Sequence, residues 1–102
     1  MIGIFCETFG STPRNRIIEF FLEMRETDYG LADVARNLEM NKATTYTIGH
    51  ELIKAQFLTP HRFIGKTQTY ILNRKNPKVK VLIKTFDSLL REITAEELLA
   101  QH

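Results

Sequence analysis

Apolar residues recur at two different periods along the chain, and the change of period divides it. Between Leu31 and Leu38 they fall at Leu31, Val34, Ala35 and Leu38, the i, i+3, i+4, i+7 spacing of one helix face. Glu39-Met40-Asn41 interrupts that run as a turn, with Met40 placed to plug the gap between two helices. Asn41 is an N-cap residue by type, because its side-chain oxygen can accept from the open N–H groups of the next turn. A second helix is predicted from Lys42 to about Gln56, with Thr45, Ile48, Gly49 and Leu52 facing inward. Ala35 is small enough to let this helix cross closely. Its other face carries Ala43, Tyr46, Thr47, His50 and Lys54, and Glu51 at its edge is its one acid. A short helix, a three-residue turn and a donor-rich second helix form the layout of a helix-turn-helix.

The elements on either side follow from the same reasoning. Met1 to Phe9 is an apolar lead whose length leaves strand, irregular arm and helical turn open; Ile2, Ile4 and Phe5 call for cover by the domain or by a second subunit. Thr12 can cap a helix that Pro13 opens, since the missing N–H of proline would be unpaired there anyway. That helix is predicted to reach about Arg25 with Ile17, Phe20, Phe21 and Met24 as its core stripe. Arg14 and Arg16 lie in its first turn, where the helix dipole disfavours cations. Such a cation can serve a phosphate, although a solvated arginine is the ordinary reading of each.

After Phe57 the period shortens to two. Residues 57–63 and 67–72 are rich in aromatic and β-branched residues, and Ile64-Gly65-Lys66 between them has the length of a hairpin loop. Alternation separates Thr67, Thr69 and Ile71 from Gln68, Tyr70 and Leu72. Pro60 belongs at a strand start or edge because it cannot donate to a ladder. His61, Arg62 and Lys66 put positive charge on the hairpin, where Lys and Pro also guard an edge against aggregation. Asn76-Pro77 opens a last helix whose apolar residues, Val79, Leu82, Ile83, Phe86, Leu89, Leu90 and Ile93, form a stripe wider than a coiled-coil seam. Thr94-Ala95-Glu96-Glu97 has the pattern of a capping box, so a short further helix can start there, with Leu98 and Leu99 as its apolar side.

At 102 residues the chain is long enough for one domain with one core, and 43% hydrophobic with 25% charged residues is a globular composition. One cysteine permits no internal disulfide, which makes a reducing, cytoplasmic compartment the expectation. Cys6 reads as a small core residue. No run is long enough to span a membrane, and the apolar lead is too short for a signal peptide core. The net charge of +2 conceals a strong asymmetry. Residues 1–40 hold four Lys/Arg against seven Asp/Glu, residues 41–84 nine against one, and residues 85–102 one against four, giving −3, +8 and −3. A basic middle that coincides with the second helix and the hairpin points to one polyanion-binding surface.

Several short motifs match a known pattern. Asp33-Val34-Ala35-Arg36 fits a D/E-I-A-R first helix, Asn41-Lys42-Ala43-Thr44-Thr45-Tyr46 is similar to an S-K-x-T-V-Y opening of a recognition helix, and Phe9 to Arg16 looks like the start of an archaeal subgroup. From Phe9 to Phe86 the chain resembles the winged helix-turn-helix of archaeal transcriptional regulators of the broad MarR and ArsR type. Two positions depart from that pattern: Gly49 stands where a large apolar residue is usual, and Gln56 where glycine often ends the helix. The resemblance implies a mainly α fold with a small β wing. Residues 1–75 would form the DNA-binding part, with a short N-terminal arm, and residues 76–102 a dimerisation segment within the same compact unit. It also implies that Asp28-Tyr29 adds a short strand to the wing.

Together with the resemblance, these observations lead to the expectation of a sequence-specific regulator of double-stranded DNA acting as a homodimer. Lys42, Ala43, Thr44, Tyr46, Thr47 and His50 are the candidates for base readout, Arg62 and Lys66 for phosphate or the minor groove, and Arg14 and Arg16 for further phosphates. Tyr46 serves equally well as a ring packed on the turn. The seven apolar residues of the last helix are the candidate dimer contacts. The rival is a winged helix that binds another protein, since fold alone does not establish DNA binding. His50, His61 and His102 lack partners at metal-ligand spacing. No phosphate-binding loop, dinucleotide fingerprint or nucleophile elbow is present, so neither an enzyme nor a cofactor is expected. The carboxylates read as solvated helix surface.

Overall fold

A computed structural model describes the backbone of residues 3–100 and the side chains of residues 3–94. The expectations for Ile2, for the Leu98–Leu99 side and for His102 lie outside those residues. The elements in order are α1 (Ile4–Phe9), α2 (Pro13–Glu23), α3 (Leu31–Leu38), α4 (Lys42–Lys54), β1 (Leu58–Ile64), β2 (Thr67–Leu72) and α5 (Pro77–Ala100).

The core is built around α2. Thr12 caps it by accepting from the Asn15 N–H at 3.1 Å, with Pro13 as the first helical residue. Ile17, Phe20 and Phe21 are buried, as the period requires, but so are Ile18, Glu19 and Leu22. Met24, assigned to the core stripe, is exposed, because the helix ends at Glu23. A helix buried on nearly every side needs cover from both flanks. α3 and α4 supply one side, and α1 supplies another.

The lead is the helix α1. Its hold on the domain comes from Glu19, whose carboxylate accepts from the N–H of Gly3 at 3.1 Å and of Cys6 at 3.0 Å. These are N–H groups of the first turn, without a partner inside the helix. Glu19 is therefore a buried structural acid, not a solvated one. A Cβ at Gly3 would lie 2.7 Å from that carboxylate, so only glycine permits the approach. Phe5 and Cys6 are buried against the domain.

The helix-turn-helix has the predicted limits at three of its four ends. Glu39 closes α3 in the left-handed conformation, φ 51°, and the Met40 N–H donates to the Ala35 carbonyl at 2.9 Å. Asn41 caps α4 by accepting from the Thr44 N–H at 3.0 Å. α4 stops at Lys54, two residues early, and Gln56 takes a left-handed φ of 63°. Thr45, Gly49 and Leu52 are buried and Ile48 half-buried. The two helices pack tightly at Gly49, where an added Cβ would meet the Leu31 side chain at 2.7 Å. Leu31 fills the space that a large residue at position 49 would take.

The wing is a two-stranded antiparallel hairpin paired from Leu58↔Leu72 to Ile64↔Thr67, with an irregularity between Pro60 and Phe63. Gly65 occupies the first of the two loop positions at φ 62°, which favours glycine there. The expected third strand reduces to a single bridge: Tyr29 and Tyr70 exchange N–H···O bonds of 3.2 and 2.9 Å. Leu58 and Leu72 carry the hairpin into the core. The Gln56 carbonyl, exposed where α4 ends, accepts from the side-chain amides of Asn73 and Asn76 at 3.0 Å each.

α5 runs unbroken through Thr94. Instead of capping a new helix, the Thr94 hydroxyl donates to the Leu90 carbonyl one turn back at 3.0 Å. Its apolar stripe divides. Val79 and Phe86, at 0% and 3% exposure, belong to the same core as α2, and Leu82 and Ile83 pack against that core half-buried. Leu89 and Ile93 are half-buried, and Leu90 is exposed. Of the seven candidate dimer contacts, Val79 and Phe86 therefore belong to the domain's own core and are not available to a partner. Val81, outside the predicted stripe, is 61% exposed.

Candidate nucleic-acid interface

α4 displays one face to solvent along its whole length. Lys42, Ala43, Thr47, His50 and Lys54 are exposed, and Thr44 and Tyr46 are half-buried. Residues four apart on a helix are neighbours, and here they form a ladder. The Lys42 ammonium stands 5.7 Å from the Tyr46 ring centroid, and the Tyr46 ring stacks on His50 at 6.3 Å and 19°. Tyr46 is thus packed between its helical neighbours. Each contact is small, about 0.5–1 kcal/mol for an exposed cation over a ring, but together they restrict three long side chains.

A groove of about 250 Å³ separates this face from the wing. Tyr46 and His50 line it from α4, and Lys66, Thr67, Gln68 and Tyr70 from the hairpin. The wall near α3 is held close by contact of the Thr67 methyl with Gly30, where a Cβ would lie 2.7 Å away. The structure therefore brings two of the α4 candidates, Tyr46 and His50, together with Lys66 on one concave surface, while Lys42, Ala43, Thr44 and Thr47 lie on α4 outside the lining of that groove. Among the described residues no carboxylate lies within ion-pair distance of Lys42, Lys54 or Lys66.

The four arginine and lysine residues proposed outside α4 occupy different settings. Arg14 is half-buried, 3.9 Å from Glu51 and 5.6 Å from the Phe57 ring centroid. It offsets the one acid of the basic block. Arg16 turns inward and donates to the Leu38 carbonyl at the C-terminus of α3, so it ties α2 to the helix-turn-helix. Arg62 is exposed yet held: its Nε and a terminal nitrogen donate to the two oxygens of Asp28 at 2.7 and 3.1 Å. Only Lys66 of the four stands without a protein partner among the described residues.

Sequence reasoning missed the wing anchor that Arg62 belongs to. The Asp28 side chain is only 7% exposed. Hydrogen bonds from Arg62 and Thr69 hold its carboxyl well below the usual carboxylate range, and the same pairing raises the Arg62 guanidinium. Thr69, 2% exposed, donates to Asp28 at 2.5 Å and accepts from the Arg62 N–H at 3.3 Å. Two partners, Arg62 and Thr69, that lie 34 and 41 positions from Asp28 leave no local signal. The one available hint was an acid beside the tyrosine of the expected third strand.

No family model and no curated protein matches the chain. Solved structures do. MepR, a transcription regulator of the Staphylococcus aureus multidrug efflux pump MepA, superimposes with a TM-score of 0.64 at 14% identity over 94% of this chain and 69% of its own. Mb0332 from Mycobacterium bovis, a homodimeric winged helix-turn-helix DNA-binding domain, covers 97% of this chain and 82% of its own, with a TM-score of 0.56 and 18% identity. The fold is a winged helix-turn-helix. The ferric uptake regulator of Francisella tularensis matches over 65% of this chain at 20% identity and TM-score 0.59, and the chain spans 54% of its length. MepR and the ferric uptake regulator are named as regulators and Mb0332 as a possible one, and at such identities the likeness concerns the fold. Among the described residues no three His, Cys, Asp or Glu side chains group as metal ligands, and no helix is long and apolar enough to cross a membrane.

Proposed function

We infer that the chain is a sequence-specific, double-stranded DNA-binding transcription regulator that works as a homodimer. The observation that carries this reading is the shared groove of α4 and the wing, set within a block whose net charge is +8 and whose one acid faces Arg14. In a winged helix the exposed face of α4 would enter the major groove N-terminus first. Lys42 can donate to guanine O6 and N7, the Thr44 and Thr47 hydroxyls to bases or phosphates, and the Ala43 methyl can meet a thymine methyl. His50, stacked on Tyr46, lines the groove, and Lys66 reaches a phosphate or the minor groove. Arg62 acts by fixing the hairpin. The motifs at Asp33–Arg36 and Asn41–Tyr46 support the archaeal MarR and ArsR type.

Dimerisation is assigned to the part of α5 that its own domain leaves uncovered: Leu89, Leu90 and Ile93, with the outer sides of Leu82 and Ile83 and the added Val81. Full burial of one such side chain is worth about 1.5–3 kcal/mol, and twofold dimers are the commonest assembly. A dimer would set two recognition helices roughly 34–36 Å apart on a palindromic site.

Selection of bound genomic fragments, followed by titration of the recovered site, tests the division of roles. Lys42→Ala and Thr44→Ala should weaken the selected site by about 1–3 kcal/mol per lost base contact and relax its sequence preference. Lys66→Ala should weaken all sequences alike. A wing variant that changes base preference while the α4 variants do not would reverse the assignment. A chain that enriches no fragment, and is retained instead by a protein, would favour the interaction-module reading.

A further inference from the structure

The tip of the wing is apolar, and among the described residues nothing covers it. Phe63 and Ile64, the last residues of β1, are 68% and 54% exposed, whereas Leu58 and Leu72 at the base of the hairpin are buried. Edge protection accounts for Pro60 and Lys66 but not for two adjacent large apolar side chains. The irregularity between Pro60 and Phe63 interrupts the pairing just before them, and such features re-aim the residues that follow. The Asp28–Arg62–Thr69 anchor fixes the strand at that point.

The charge around the tip selects its occupant. Lys66 follows two residues after Ile64 and lines the groove shared with His50 and Tyr46. Asp28 is already paired. A second copy of this chain meeting it tip to tip would bring an equally basic tip and be repelled. An apolar point carried on a basic surface suits a polyanion with an apolar interior, and stacked base pairs between phosphate rails have that character. Apolar side chains pushed between base steps from the minor groove unstack them and bend the duplex.

We propose that the wing tip is an apolar wedge, in which Phe63 enters the minor groove and parts a base step, Ile64 on the opposite face of the strand packs against the groove wall, and Lys66 holds a flanking phosphate. Pyrimidine–purine steps unstack most readily. The wing thereby adds a preference for such steps beside the site that α4 reads, with no hydrogen bond to a base. The proposal rests on the DNA-binding reading and goes beyond it in assigning deformation of the duplex to two named side chains.

The test uses the full chain and an alternating A·T duplex, in which every second step is a pyrimidine–purine step. The duplex carries 2-aminopurine at scattered adenines and a donor–acceptor dye pair at its ends. Binding is measured first, at low salt. The unsubstituted protein should raise 2-aminopurine fluorescence several-fold and shorten the end-to-end distance, with a bend of at least about 20°. Phe63→Ser with Ile64→Ser should still bind with the same salt dependence, and lose both signals. Phe63→Leu should restore part of them, and Lys66→Ala should weaken binding while keeping both at saturation. Both positions are exposed, so far-UV circular dichroism of the double variant should match the parent. The proposal is overturned if the double variant keeps the fluorescence rise and the bend. It also fails if that variant sediments as a smaller assembly, which would make the tip a subunit contact. Absence of any duplex binding by the unsubstituted protein removes the DNA reading itself, and the binding measurement separates that outcome from failure of the wedge alone.

Discussion

Asp28 shows how much one side chain decides in this molecule. It joins the α2–α3 connection to both wing strands through Arg62 and Thr69. Its folded-state pKa is lowered, so it contributes stability that is fully present above the ordinary carboxylate value of about 3.9 and is lost as pH falls below it toward the folded value. Urea midpoints of the parent and Asp28→Asn should therefore differ at neutral pH and converge as pH drops under that value. A gap independent of pH would mean the pairing contributes nothing. Arg62→Ala leaves Asp28 and Thr69 with an unmatched buried carboxylate, so it should loosen the wing as well as weaken DNA binding, whereas Lys66→Ala should affect binding alone. Amide exchange along β2 distinguishes them. Gly49 is decisive in the opposite sense. Alanine there would gain about 1 kcal/mol of helix propensity, but its Cβ meets Leu31, itself 4% exposed. Overpacking costs about 1–3 kcal/mol, so Gly49→Ala should be destabilising or at best neutral by chemical denaturation.

At the scale of elements, α1 depends on one acid from α2. Burial first, and then the Glu19 charge, pushes the Cys6 thiol up to about 11, so it should react slowly with an alkylating agent at neutral pH. Glu19→Gln removes the charge that the two N–H groups of α1 point to, and should release the helix and speed alkylation of Cys6. Unchanged labelling would mean that packing alone holds α1. The same element marks the limit of what the sequence disclosed. α3, the turn, the Asn41 cap and both wing strands follow from local period and capping chemistry, and they were legible. Whether residues 4–9 were helix or strand was decided by Glu19, a distant partner that periodicity over so few residues cannot detect. Gln56 was noted as a departure, and its left-handed φ gives the reason glycine is common there. Gln56→Gly should stabilise the chain by about 0.5–1 kcal/mol, the left-handed strain relieved less the added chain entropy.

For the whole molecule, the open surfaces are the α4–wing face and part of α5. The division of α5 was hidden in the sequence because its stripe continues without a break from residues buried at home to residues left outside. The seven-residue repeat of Val79, Phe86 and Ile93 is the same pattern whether the cover is the own core or a partner. The candidate interface was legible as a set but not in its roles. Lys42, Ala43, Thr47, His50 and Lys66 are exposed as expected, while Arg16 and Arg62 are engaged with their own chain. If the uncovered part of α5 makes the dimer, Val81→Glu with Leu90→Glu should give a folded monomer in sedimentation equilibrium, because both residues are exposed in the single chain. A monomeric parent at tens of micromolar would reject the dimer.

The central claim is that the α4–wing surface binds the phosphate backbone, and salt dependence tests it most directly. Each phosphate neutralised by a lysine or arginine releases counterions, and six such contacts on a dimer give a slope of log K against log salt near roughly −5. Gel-shift titrations on mixed-sequence duplex at several salt concentrations should yield a steep negative slope, flattened in Lys42→Ala with Lys66→Ala. Absence of binding at low salt, or binding with no slope, would contradict the account.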